Sequence, residues 1–475
     1  MDAVTNVGAA SPPVRGLAPL EPAELPAPPA SIWPIVGPGI VAAGVGLGSG
    51  EFVFFPYVAS QIGLGFLWAA VVGVGLQFIL NMEFERYTLA TGETALTGFS
   101  RLGRHWGLVF VVMTLITFAW PGWATGAATL VTYLVGGNAT WIAIAILLAV
   151  GCTLTLSPIV YRTLERAVKI KVAAVMAIVL VSILMIIPPG LWVEVPALVA
   201  RPALPAEQLG WALVMGAIAF AGLGGAGNLC QSNWIRDKGF GMGVHAPRIA
   251  SPLVGEPVAM PGTGWRFEID ETSLARWRGW WRMANIEQLS TFVAISLITI
   301  IFMSILAYAV LFGRPGLPSD ISFLALESEI LSQRVGAWFG RLFLAVGAVS
   351  LFATAIGVVD ISARLTADVI HTSYRGGRSE SLVYALVVWT IVAVGLAIVG
   401  SGLSQPLVLL VLSACLAGLM MFVYSGLVLV LNNRLLPAPL RPSWWRNALL
   451  AFAFLFFGAV SLLTLMDQVG RLTAG

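Results

Sequence analysis

Apolar stretches of about 20 residues, the length needed to cross the hydrocarbon core of a bilayer, recur from residue 34 almost to the end of this chain. No other feature constrains its fold so tightly. Each stretch is too long and too continuous for a strand of a membrane barrel, in which apolar and polar residues alternate. The fold class is therefore all-α and polytopic, since a helix satisfies its own backbone hydrogen bonds in lipid. Composition agrees: only 10% of the 475 residues are charged and 58% are hydrophobic, whereas a soluble domain carries about 25% charged residues.

Hydropathy read in windows of about 19 residues predicts spans at 34–60, 65–88, 105–135, 139–157, 169–188, 208–238, 286–312, 337–370, 382–400, 404–432 and 443–466, about eleven in all. With the N-terminus in the cytoplasm, about 21 of the 26 lysines and arginines fall on the cytoplasmic side, among them Arg162, Arg166, Lys169, Lys171, Arg375 and Arg378, as the positive-inside rule requires. An odd number of spans then places the C-terminus outside a cell membrane. Residues 1–33 are rich in Pro and Ala and lack the apolar core of a cleavable signal; they read as a disordered cytoplasmic tail. Cys152, Cys230 and Cys415 have no C-x-x-C spacing and read as packing residues.

Two spans are interrupted. The first contains "GVGLGSGEFVFFP", with Gly44, Gly46, Gly48 and Gly50 followed at once by Glu51; the sixth contains "AIAFAGLGGAGNLCQSNWIRDKG", with Gly222, Gly224, Gly225 and Gly227 followed by Asn228. They lie five spans apart, so residues 34–188 and 208–432 form two halves of five, each opening on a broken helix, and five being odd the second half is inverted. The span at 443–466 is an addition. Breaks at matching positions of inverted halves point to a transport site near the midplane, because freed backbone groups are tolerated in a membrane only where something other than lipid meets them. Glu51, in the first turn of the second half-helix, lies where the helix dipole favours a carboxylate, and an acid at that depth is costly enough to mark a functional site.

At these breaks the sequence resembles the NRAMP (natural resistance-associated macrophage protein) family of metal-ion transporters. "GPGIVAAGVGLGSGEF" is similar to the family's first helix, and "MANIEQLSTFVAI" and "VVDISARLTADVI" extend the likeness through the spans at 286–312 and 337–370. The resemblance implies a leucine-transporter-like fold of two inverted five-helix repeats. It also exposes a remodelled site. Gly48, Ser49, Gly50 and Glu51 stand where the family has Asp-Pro-Gly-Asn, and Gly225, Ala226 and Gly227 where it has Met-Pro-His. The thioether that selects transition metals and the histidine linked to proton transfer are both replaced. The span at 105–135 has no acidic residue and that at 382–400 no basic one, so the family's proton route is missing.

What remains is oxygen chemistry. Glu51 and Asn228 are the candidate metal ligands, with Gly48, Ser49, Gly50, Gly225, Gly227 and Gln231 completing the candidate substrate site. One carboxylate among carbonyl and amide oxygens suits Mg²⁺ or Ca²⁺ better than Mn²⁺ or Fe²⁺. Asp360 and Arg364 form an i, i+4 pair and are the candidate inner gate, while Glu83 and Glu85 beside Arg86 read as an ion-paired helix end. The expected function is a secondary transporter or facilitator of a cation, working by alternating access and not an enzyme; a carrier of a small organic solute such as an amino acid and a transport-inactive scaffold are the alternatives. Its partners are the transported solute and the bilayer. No cofactor, nucleic acid or nucleotide is implied, and no phosphate-binding loop is present. The loop at 239–285, with Trp277, Trp280 and Trp281 interleaved with Arg276, Arg278 and Arg282, has the composition of an amphipathic helix at the membrane interface.

Overall fold

The computed structural model describes residues 17–156, 160–246, 264–374 and 380–474. The first sixteen residues of the tail, residues 247–263 of the cytoplasmic loop, and Arg375 and Arg378 lie outside these, as does the side chain of Arg162. Among the described residues nine helices are long and apolar enough to cross a membrane, and a bent pair makes a tenth.

That pair is span one: Pro38–Gly46, with Pro38 at the first helical position where its missing N–H costs nothing, then a wide π turn, Gly50–Phe54, and Phe55–Ile62, at 42° to the first half. Span two is Trp68–Thr91, span three is Trp106–Phe118 with Gly122–Val135, broken at Pro121, span four is Ala139–Leu156 and span five is Val160–Met185. Span six is two short helices, Trp211–Ala219 and Ala226–Lys238. At 9 and 13 residues neither is long enough to cross a membrane alone. Span seven runs from Glu271 to Leu311 through a π turn at Leu289–Val293. Spans eight, nine and ten are Ala337–Ser373, Glu380–Gly400 and Pro406–Leu435, and the last helix is Trp444–Ala474.

Spans one, two, six and seven pack on one another, as do three, four, eight and nine. Span five touches both groups, and span ten joins spans three and six. In span eight 78% of the most apolar window is buried within the protein, against 33% in span four and in the last helix. Span eight is therefore central, and those two present their apolar faces to lipid.

The Trp/Arg segment differs from the sequence expectation. It is the first four turns of the span-seven helix, capped by Asp270, whose Oδ1 accepts from Ser273 N at 2.7 Å, and it is docked on the protein. Trp277 and Trp280 are buried, and Trp281 is flanked by the guanidiniums of Arg86, 3.9 Å from its ring centroid, and Arg446, at 4.8 Å. Residues 17–33, expected as disordered tail, are also placed. Glu21–Pro22 pairs in parallel with Trp265–Arg266, Leu25 is fully buried, Arg276 binds Glu24, and Trp280 Nε1 donates to Pro26 O at 2.9 Å. The three indoles and Arg276 have protein partners, whereas Arg278 and Arg282 are exposed.

Between spans seven and eight the helix Phe323–Arg334 buries Glu327 with neither carboxyl oxygen hydrogen-bonded. Burial pushes this carboxyl up from 4.5 to about 8, because the charged form loses its water. The folded state thus holds the proton more tightly than the unfolded chain. Glu327 favours folding most below about pH 4.5, and that contribution is lost as pH rises toward 8. Glu327→Gln is expected to flatten the decline of thermal stability between those values; an unchanged pH profile would show that Glu327 does not set it.

Candidate functional site

The two breaks face each other. A Cβ on Gly50 would lie 1.6 Å from Phe220 O, and one on Gly46 would lie 1.9 Å from Gly222 O. The first break therefore needs glycine for close approach rather than for backbone freedom. The second needs the freedom, since Gly222, Gly224 and Gly225 have φ of 98°, 68° and 52°, which other residues rarely adopt. Gly50→Ala is expected to cost about 3 kcal/mol or more, because its Cβ meets unyielding backbone. Size-exclusion and thermal unfolding in detergent should show this as lost monodisperse protein; a wild-type profile would contradict the close apposition.

The predicted site residues fare differently. Glu51 lies in the first turn of the second half of span one, fully buried, with both carboxyl oxygens lacking a hydrogen-bond partner. Ser296 and Thr299 of span seven and the ammonium of Lys171 of span five lie around it. Thr299 directs its hydroxyl to Ile295 O and Ser296 O. Ser49 is buried, and its carbonyl accepts from both Val53 N and Phe54 N in the π turn. The bare faces of Gly48, Gly225 and Gly227 are packed against Thr354, Ala417 and Leu223.

Asn228 and Gln231 are already engaged. Asn228 Nδ2 donates to Asn81 Oδ1 at 2.8 Å, and its Oδ1 accepts from Tyr424 Oη at 2.7 Å. Gln231 Nε2 donates to Glu85 Oε1 at 2.9 Å. The structure thus brings Glu51 to the junction of the breaks but ties these two side chains to span two.

Gln77, which sequence reasoning missed, closes the second break. Its Nε2 donates to Ala219 O at 3.1 Å and Ala221 O at 2.8 Å, and its Oε1 accepts from Leu223 N at 2.9 Å and Gly224 N at 2.8 Å. One side-chain amide thereby satisfies four backbone groups released by unwinding. Span eight does the same for the first break: Ser350 Oγ donates to Leu47 O and Thr354 Oγ1 to Val45 O, both at 2.9 Å. Lys171 Nζ donates to Thr354 Oγ1 at 2.7 Å. Lys171, counted by sequence among the cytoplasmic basic residues, is buried beside the first break and says nothing about orientation.

At the other end of the second half of span six, Arg364 bonds Asp360 through Nε at 3.2 Å and Nη2 at 3.1 Å, and bonds Asp237 through Nη1. Tyr384 Oη donates to Asp360 at 2.7 Å. The expected i, i+4 pair is present and extends into a buried cluster across spans six, eight and nine. Beside it Arg236 bonds Asp368, which also accepts from Thr94. Glu287 of span seven accepts from Gly37 N at 3.1 Å and Gly39 N at 2.9 Å, holding the start of span one. Glu83 is ion-paired as expected, bonded to Arg86, Arg446 and Asn432, but it is fully buried inside a helix that continues to Thr91 and is no exposed helix end; Glu85 is not ion-paired.

No family model and no curated protein matches the chain, but solved structures do. The fold is leucine-transporter-like. A crystal structure of a single-substitution variant of the Eremococcus coleocola manganese transporter is 16% identical, with TM-score 0.68 over 96% of this chain and 91% of that one. The same transporter in complex with an aromatic bis-isothiourea substituted compound is 14% identical, with TM-score 0.69 over 95% of this chain and 90% of that one. Mhp1, a nucleobase-cation-symport-1 family transporter, is more distant, at 13% identity and TM-score 0.50 over 97% and 96%. Two inverted five-helix repeats and an additional helix account for the grouping of spans described above.

Proposed function

We propose that this protein is a secondary transporter or facilitator that moves a small cation by alternating access around the junction of its two broken helices. The observation that carries the reading is Glu51: a fully buried carboxylate with no hydrogen-bond partner, placed where two interrupted spans touch. Glu327 is buried without a partner as well, so what distinguishes Glu51 is its place: it lies in the first turn after a broken helix, with the hydroxyl-bearing Ser296 and Thr299 and the ammonium of Lys171 around it. The similarity in fold to a manganese transporter supports transport, and the residues here argue for a different cargo. Among the described residues no group of three His, Cys, Asp or Glu side chains is placed to hold a metal, and neither Met nor His stands at the breaks. Carboxylate, hydroxyl and carbonyl oxygens suit a hard ion such as Mg²⁺ or Ca²⁺. In this reading eleven helices cross the cell membrane, the N-terminus is cytoplasmic and the C-terminus outside, and the Asp360–Arg364–Asp237 cluster forms the inner gate.

Lys171 favours a second reading. A buried ammonium near Glu51 lowers the net negative charge of the junction, which disfavours a divalent ion and suits a zwitterion whose ammonium group meets Glu51. Uptake into proteoliposomes of Mg²⁺, Ca²⁺, Mn²⁺ and a mixture of amino acids separates the two. Mg²⁺ or Ca²⁺ entry supports the first and amino-acid entry the second; entry of Mn²⁺ alone contradicts the hard-cation assignment, and entry of none contradicts both.

A further inference from the structure

Below the second break, spans two and six are joined by two polar rungs. The upper is Asn81 to Asn228 and the lower Glu85 to Gln231, with i, i+4 spacing on span two and i, i+3 on span six, so both rungs lie on facing helix surfaces. All four side chains are fully buried. In the lower rung Gln231 Nε2 donates to Glu85 Oε1 at 2.9 Å. The remaining oxygens of the two groups, Glu85 Oε2 and Gln231 Oε1, are both buried and both lack a partner.

An ionised carboxylate accepts hydrogen bonds and donates none, and an amide oxygen also only accepts. Two such oxygens left bare on a bonded pair of side chains in a low-dielectric interior each forfeit the bond they would make to water. A single proton on Glu85 Oε2 resolves both deficits. The carboxylic acid then donates to Gln231 Oε1 while accepting from Gln231 Nε2, forming a cyclic acid–amide pair with every polar atom of the rung satisfied. We infer that Glu85 is a proton-binding site, held by Gln231 in the protonated form.

Its surroundings fit. Glu287 of span seven and Arg446 of the last helix are the charged groups that act on it, and Arg446 is bound by Glu83. On its own helix Glu83 and Arg86 pair with each other. On the second half of span six Asp237 pairs with Arg364 and Arg236 with Asp368. No cation is bonded to Glu85 among these. The site also supplies what the sequence lacked, a proton-carrying group on the cytoplasmic side of the breaks, and its part in coupling rests on the transport reading above. Its protonation does not.

Infrared spectroscopy of the full-length protein in detergent at neutral pH tests the inference directly. Other carboxyl groups cancel in the spectrum of wild type minus Glu85→Gln. That difference is expected to contain the carbonyl stretch of a protonated carboxylic acid, moving to lower frequency in D₂O. Gln231→Leu, which removes the acceptor, is expected to move the same band to higher frequency and keeps the test decisive if Glu85→Gln does not fold. A difference spectrum holding only carboxylate stretches, or a Gln231→Leu spectrum with no acid band altered, would overturn the inference. A carboxylate stretch that shifts with added Mg²⁺ or Na⁺ would overturn it in favour of a bound metal cation. In proteoliposomes the wild type's uptake is expected to change about tenfold with the imposed proton gradient and that of Glu85→Gln not to respond. If the wild type moves no cargo, transport is refuted while the infrared result stands; pH-dependent uptake retained by Glu85→Gln would refute Glu85 as the coupling group.

Discussion

Arg364→Leu is expected to cost about 3–5 kcal/mol of stability, the range for removing one member of a buried ion cluster. Arg364 is fully buried and makes bonds to both Asp360 and Asp237. Without it Asp360 is left with the Tyr384 hydroxyl, and Asp237 with Arg236 at 3.7 Å, a guanidinium already bonded to Asp368, in a low-dielectric interior. Thermal unfolding in detergent, followed by tryptophan fluorescence, should show a large drop in midpoint. Adding Asp360→Asn and Asp237→Asn to the same variant should recover much of it, since neutral groups tolerate the site better than unpaired charges. Stability equal to wild type in the single variant would contradict the cluster, and would also remove the strongest reason to regard it as a lock on the inner side.

Gln77→Leu is the second large effect. The substitution keeps the bulk but leaves Ala219 O, Ala221 O, Leu223 N and Gly224 N without the amide that bonds them. Each buried unsatisfied group costs about 1–3 kcal/mol. Even with relaxation the sum is expected to exceed about 4 kcal/mol, and the damage should be local to the second break. Hydrogen exchange read by mass spectrometry offers a specific signature: peptides covering residues 219–225 should exchange far faster than in wild type, while the Gly44–Phe54 region changes less. Unchanged exchange there would mean that Gln77 is not what closes the break.

These two residues mark the limit of what the sequence discloses. The broken helices were legible because several glycines close together weaken a helix inside an apolar run that lipid would otherwise keep helical, and Glu51 because a carboxylate in such a run is costly. Asp360 and Arg364 were legible because their spacing alone places them on one helix face. Gln77 was not, because its partners are backbone groups 142–147 residues away, and only tertiary packing brings them together. Lys171 looked like one more basic residue at a helix end; its partner Thr354 is 183 residues distant. Glu83 and Glu85 are the sharpest case. They stand two apart in "NMEFERY", and helix geometry turns them to different faces: one meets Arg86, Arg446 and Asn432, the other Gln231. A sequence window sees one acidic helix end where the fold makes two unlike sites. The docking of the Trp/Arg segment was hidden for a related reason, since its composition suits lipid headgroups as well as it suits Glu24, Pro26 and the guanidiniums of Arg86 and Arg446.

The most direct test of the transport site is uptake by proteoliposomes holding either wild type or Glu51→Gln, measured side by side for whichever cargo the wild type accepts. The substitution is isosteric, so its folding is expected to match wild type in size-exclusion and thermal unfolding. In the proposed reading Glu51 is the charge that meets the cargo, so uptake is expected to fall by about a hundredfold, the equivalent of losing roughly 3 kcal/mol of interaction with a buried charge. A well-folded Glu51→Gln protein that transports as fast as wild type would contradict the assignment of the cargo site to the junction of the two breaks.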